Sequence, residues 1–145
     1  MKNHYIATTF MAITFSLFAQ SSIAVEDQYS DYSGVYDCTG DDAHEGKYTG
    51  IVTMKLKPEH SKGNDASYDF KLVVPSYGTY LGHAAATGNV AAMHFALTDT
   101  STKDYGTGIA QFKRNDDGKL SFRKFYFEPE FKGGNTGIEI CVRRD

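Results

Sequence analysis

The stretch KFYFEPEFKGGN, residues 124–135, sets Glu128 and Glu130 two positions apart, the spacing that puts two side chains on one face of a strand. Paired carboxylates are the machinery of glycoside hydrolysis, where retaining enzymes hold them about 5 to 5.5 Å apart, normally on separate segments. Pro129 lies between the two glutamates and removes a ladder donor, so the strand is expected to stop there and its regular pleat with it. Glu128 and Glu130 then need not share a face. The stretch reads as an aromatic-rimmed turn, with Tyr126, Phe127 and Phe131 as candidate ligand contacts and Gly133-Gly134-Asn135 returning the chain.

A second chemical pattern lies in TYLGHAAATGNVAAMHFALT. Gly88-Asn89 between two alternating runs signals a two-residue hairpin, which puts Thr87 opposite Val90, Ala85 opposite Ala92 and His83 opposite His94. Facing imidazoles, with Cβ atoms about 5 Å apart, would bind zinc or copper only if a third ligand approached. The other face carries Tyr80, Ala84, Ala86, Ala91, Met93, Phe95 and Leu97, the more apolar set, so the histidines are expected to point outward. A third cluster, CTGDDAHEG, holds Asp41, Asp42, His44 and Glu45 within five positions. Its atom types suit a cation, but it lacks the alternate-position ligands of a calcium loop and reads as a polar connection between strands. No G-x-S-x-G, H-E-x-x-H or phosphate-binding loop occurs, so the sequence points to no catalytic residue and no cofactor.

The elements that must position these residues are strands. No window of a dozen residues keeps a helical apolar stripe; instead, short runs rich in β-branched and aromatic residues alternate with clusters of Gly, Asn, Asp, Pro or Ser. Eight runs are predicted, near 33–39, 47–57, 67–74, 79–87, 90–98, 106–113, 119–127 and 136–143. Tyr48, Val52, Met54 and Leu56 alternate with lysines, as do Tyr68, Phe70, Leu72 and Val74 with Asp69 and Lys71. By the same rule Ile138, Ile140 and Val142 are expected inside, and Glu139 and Arg143 outside. The fold class is all-β, an antiparallel up-and-down barrel of about eight strands, with a two-sheet sandwich as the alternative. Such a barrel is either filled by its own side chains or holds one small ligand. The small residues from 82 to 92 allow both: a cavity lined by Tyr80, Met93 and Phe95, or a space taken up by aromatic rings from other strands.

Residues 1–24 have the layout of a cleaved signal peptide, with Lys2 ahead of an apolar stretch from Ile6 to Ala19 and small residues before the cut after Ala24. That stretch is shorter than the roughly 20 residues of a spanning helix, so no membrane span is expected. Residues 25–32 read as a flexible leader and 33–145 as one domain. Export, to the periplasm or the medium, is the expected destination, and in an oxidising compartment Cys38 and Cys141 are expected to form a disulfide joining the first strand to the last. The formal charge of −3, with both signs interspersed, gives no basic stripe for nucleic acid.

Tyr36-Asp37-Cys38, the late Cys141 and the segment SYGTY, residues 76–80, resemble the small periplasmic inhibitors of C-type lysozyme, which are exported β-barrels with a disulfide involving an early Tyr-x-Cys. SYGTY departs from that family's Ser-Gly-x-x-Tyr by an extra residue, and the chain has no Trp. SGVYDC and EGKYTG are similar to strand beginnings of avidin-like and lipocalin-like barrels. These resemblances are architectural and do not by themselves fix a function. Two functions are expected as alternatives: a non-catalytic exported barrel for a small apolar or amphipathic ligand, from the small residues at 82–92 beside an aromatic wall, or a module that binds an exported or cell-wall protein such as a hydrolase, from the export signal and the loop DTSTKDYGTG, residues 99–108.

Overall fold

The computed structural model describes residues 31–145. Residues 1–24 and most of the leader therefore lie outside the described residues. Eight antiparallel strands form a closed barrel in chain order: β1 (Gly34–Asp42), β2 (Gly46–Leu56), β3 (Asp65–Val74), β4 (Gly78–Thr87), β5 (Val90–Leu97), β6 (Tyr105–Arg114), β7 (Leu120–Glu128) and β8 (Asn135–Arg143). Short 3₁₀ turns at Pro58–His60, Thr100–Thr102 and Phe131–Gly133 are the only helical pieces among the described residues. None is long and apolar enough to cross a membrane.

Closure is made by β1 on β8, where Cys38 lies directly opposite Cys141 and the two form a disulfide. Pairing first with last leaves no free edge, so every strand has two hydrogen-bonded neighbours. The hairpin at Gly88-Asn89 has the expected register, with Thr87 on Val90, Ala85 on Ala92 and His83 on His94.

Alternation orients the side chains of β2 to β5 as the sequence predicts, but β8 is inverted. Asn135, Gly137, Glu139 and Cys141 point into the barrel, whereas Ile138 and Ile140 are exposed. Three contacts across β8 outweigh the apolar preference of its isoleucines. Cys141 has to face Cys38, Glu139 meets a buried lysine, and Gly137 leaves room for Tyr126. A Cβ on Gly137 would collide with the Tyr126 phenol, and one on Gly40 with the Tyr48 ring, so these two glycines let large rings lie across the interior. The displaced isoleucines share the outer surface with Ile109, Phe125 and Phe127.

The barrel has one closed end. Tyr32, expected in the leader, is buried; its ring stacks on Phe112 at 4.0 Å between centroids and its hydroxyl donates to the Gly88 carbonyl. Tyr36 donates back to the Tyr32 carbonyl at 2.7 Å, and Phe122 packs against both Tyr36 and Phe112. Aromatic rings thus fill the space beside the small inward residues Ala66, Ala84, Ala86, Ala91 and Ala110. Of the two interiors open to the sequence, this half has the filled one.

Candidate functional site

The opposite end, where the 43–45, 75–77, 98–104 and 129–134 connections meet, is open. Inward alternation carries Tyr48, Leu72, Tyr80, Phe95, Lys124 and Tyr126 up to it. Asp42 and Glu128 end their strands there, and Asp104 sits just ahead of β6. Tyr77 and Phe131, on the connections, complete a cup of about 70 Å³. At about 10 to 15 Å³ per water that is room for a few waters or one small group, far below the several hundred Å³ of a drug-sized pocket.

The floor is a buried ion pair. Lys124 Nζ lies 2.7 Å from Glu139 Oε2, both side chains almost fully buried, and Tyr48 donates its hydroxyl to Glu139 Oε1 at 3.0 Å. The ammonium also stands 5.0 to 5.5 Å from the ring centroids of Phe70, Phe95 and Tyr126, within cation–π range.

The walls carry three more acids. Burial alone would raise the carboxyl of Asp42. Hydrogen bonds from the backbone N–H of Glu45, the Tyr126 hydroxyl, the Asn135 amide and the backbone N–H of His44 outweigh burial and hold Asp42 below the usual carboxylate range. Asp104 accepts from the Tyr77 and Tyr80 hydroxyls, both at 2.8 Å and both on Oδ2. Its Oδ1 is buried without a donor. Burial pushes those two phenols well above their ordinary range, reinforced by their bonds to Asp104.

Glu128 accepts from Asn135 Nδ2 at 2.6 Å, and the same amide group donates to Asp42 at 2.7 Å. Burial, followed by the negative charges of Asp104 and Asp42, pushes the Glu128 carboxyl up to about 7 against the relief from Asn135. A proton held on Glu128 can be donated to the neighbouring Asp104 carboxylate. Asp42, Asp104 and Glu128 have no ion-pair partner among the described residues, whereas rim charges are paired, Lys103 with Glu130 and Lys132 with Glu45. The cup therefore has an excess of negative charge beside aromatic rings.

The structure gathers only some of the residues singled out by the sequence. Tyr80, Phe95, Tyr126 and Phe131 line the cup. Met93 is buried, but it does not reach the cup's surface, and Phe127 points outward with Phe125 and Ile109. Glu128 faces inward and Glu130 is on the surface, hydrogen bonded to Tyr105 and paired with Lys103. The acidic cluster at 41–45 divides: Asp41 and His44 are exposed, His44 bonding the Gly134 carbonyl, and Asp42 turns inside. His83 and His94 stand on the outer surface with ring centroids 5.3 Å apart. The only three ligating residues that approach one another among those described are Cys38, Glu139 and Cys141, and both sulfurs are spent in the disulfide.

Sequence reasoning passed over Asp104, Lys124 and Glu139 as site residues. Lys124 had a signal, since it shares its pleat face with Phe122 and Tyr126. Asp104, on a connection, had none. Neither family models nor curated proteins match this chain.

Proposed function

We propose that this chain is an exported, non-catalytic binding protein whose open end takes a small amphipathic ligand. The observation that carries the reading is the cup itself, walled by Tyr80, Phe95, Tyr126 and Phe131 and holding at Asp104 Oδ1 a buried acceptor with no donor. Native sites seldom leave such an atom bare without a role for it. Convergent polar atoms in an aromatic cup are the recognition pattern of an amphipathic molecule. A cup of about 70 Å³ suits a small group rather than a whole sugar ring, which favours binding over glycoside hydrolysis. The disulfide and the layout of residues 1–24 support export.

An NMR-observed fragment screen tests the reading. Small amphipathic fragments are expected to shift resonances of Tyr80, Phe95, Tyr126 and Phe131 while leaving Tyr36 and Phe122 at the closed end unmoved. A screen in which no fragment moves the open-end signals would overturn it.

A second reading, a module that docks on an exported or cell-wall protein as the resemblance to lysozyme inhibitors implies, is favoured by the exposed Ile109, Phe125, Phe127 and Ile140 on one outer surface. Undiminished lysozyme activity at high molar excess would argue against the inhibitor form of that reading.

A further inference from the structure

We infer that the ligand of the open end is a small primary alkylamine, bound as its ammonium between Asp104 and Glu128 with its alkyl chain against the aromatic wall. The inference rests on the proposal that the cup is a ligand site, and it names the chemistry of the occupant. Three observations support it together.

The first is the bare acceptor. Asp104 is only 3 % exposed, it lines the cup, and its Oδ1 has no donor, while its other oxygen is already committed to two tyrosine hydroxyls. The Glu128 carboxyl beside it can donate only while protonated, so a group that takes the place of that proton must itself be a donor. The second is charge. Asp42, Asp104 and Glu128 meet at the cup without a cationic partner, and Lys124 below them is engaged by Glu139. Asp42 already accepts four hydrogen bonds, so the unspent acceptor capacity lies at Asp104 and Glu128.

The third is the wall. Tyr80, Phe95 and Tyr126 present rings to the same space, with Phe95 edge-on to the other two, which suits an alkyl chain and the polarised carbon next to an ammonium. A metal ion fits less well. A hard divalent cation wants six or more oxygens around it, and no three of these acidic groups converge within ligating distance. An ammonium needs only a few acceptors and tolerates an apolar flank. The cup of about 70 Å³ sets the size, a short chain whose end reaches the mouth.

In the empty protein a proton on Glu128 takes the place of the ammonium by bridging to Asp104. The groups facing it are Asp104 from the 98–104 connection, Asp42 from β1, Tyr80 from β4, Tyr126 from β7 and Asn135 from β8. Since the Glu128 carboxyl is pushed up to about 7, ammonium and proton compete across neutral pH. Binding strengthens as the pH rises from 6 to 8, where Glu128 has lost its proton and the alkylamine is still charged.

The test is an NMR titration of the disulfide-bonded protein with n-butylamine hydrochloride, beside n-butanol as the uncharged probe of equal shape. Butylammonium is expected to move the open-end signals saturably at pH 8, at least tenfold more tightly than butanol and several-fold more tightly than at pH 6. Asp104→Asn and Glu128→Gln should each weaken it about tenfold or more, the second also removing the pH dependence, and His83→Ala on the outer surface should leave it unchanged. Having two variants on different elements, the 98–104 connection and the end of β7, keeps the test decisive if one fails to fold. Equal binding of butanol and butylammonium, or wild-type affinity in either variant, overturns the amine and leaves the amphipathic site standing. No binding of butylammonium while other amphipathic fragments move the open-end signals likewise overturns the amine alone. Silence of the open end to both probes and to every amphipathic fragment overturns the two together.

Discussion

At the scale of single residues, Glu128 governs how the open end responds to pH. Burial and the neighbouring negative charges push its carboxyl from an ordinary 4.5 up to about 7, so near neutrality the folded state holds a proton that the unfolded chain has already released. The contribution is complete below about pH 4.5 and is lost as the pH rises through 7, a swing on the order of 3 kcal/mol. Glu128→Gln imitates the protonated side chain, accepting from Asn135 and donating to Asp104. It is expected to melt about 10 to 15 °C above the wild type at pH 8 and close to it at pH 4.5, as read by calorimetry. An equal offset at both values would show that the effect is not titration. Asp42 has the opposite sign: its lowered carboxyl adds stability near neutrality that disappears as the pH falls.

At the scale of elements, β7 and β8 are tied by Lys124 and Glu139, directly opposite each other in register. A buried ion pair is expensive to break but not to replace. Glu139→Ala leaves a lysine uncompensated in the core and is expected to cost about 3 to 5 kcal/mol in urea denaturation. The double variant Lys124→Met with Glu139→Leu should recover most of that loss. A double variant no more stable than Glu139→Ala would mean that the pair has a role in the interior that packing alone cannot take over.

The hairpin of β4 and β5 and the closing strand β8 show how far periodicity reaches. The hairpin at Gly88-Asn89 was legible to the residue because a two-residue loop fixes register by itself. In β8 both alternating sets had a claim on the interior, Ile138 and Ile140 by hydropathy, Gly137, Glu139 and Cys141 by their partners. Hydropathy chose wrongly. The decisive partners, Tyr126, Lys124 and Cys38, belong to other strands.

At the scale of the whole molecule, the disulfide joins positions 103 residues apart and fastens the seam of the barrel. A loop of that length contributes on the order of 4 to 5 kcal/mol through the unfolded state, less any native strain. The Cys38→Ser, Cys141→Ser double variant is expected to unfold at correspondingly lower denaturant with its strand content intact, and the native protein should show no free thiol to labelling. A barrel as stable without the bond as with it would place the closure in the β1–β8 hydrogen bonds alone. Beside the seam, Tyr32 packs its ring into the end of the barrel opposite the cup.

Strand number, turn positions, the histidine hairpin and the pairing of two cysteines across a closed sheet were all determined by the sequence alone, because pleat and turn chemistry are local and two cysteines allow a single bridge. Tertiary structure decided the rest. Asp42, Asp104 and Glu128 come from a strand end, a connection and another strand end, and only closure of the barrel brings them to one cup. The Glu128-Pro129-Glu130 pair dissolves for the same reason, one carboxylate turning into the barrel and the other onto the surface. A carboxylate's proton affinity depends on burial and on charges within a few ångströms, and those neighbours are far away along the chain.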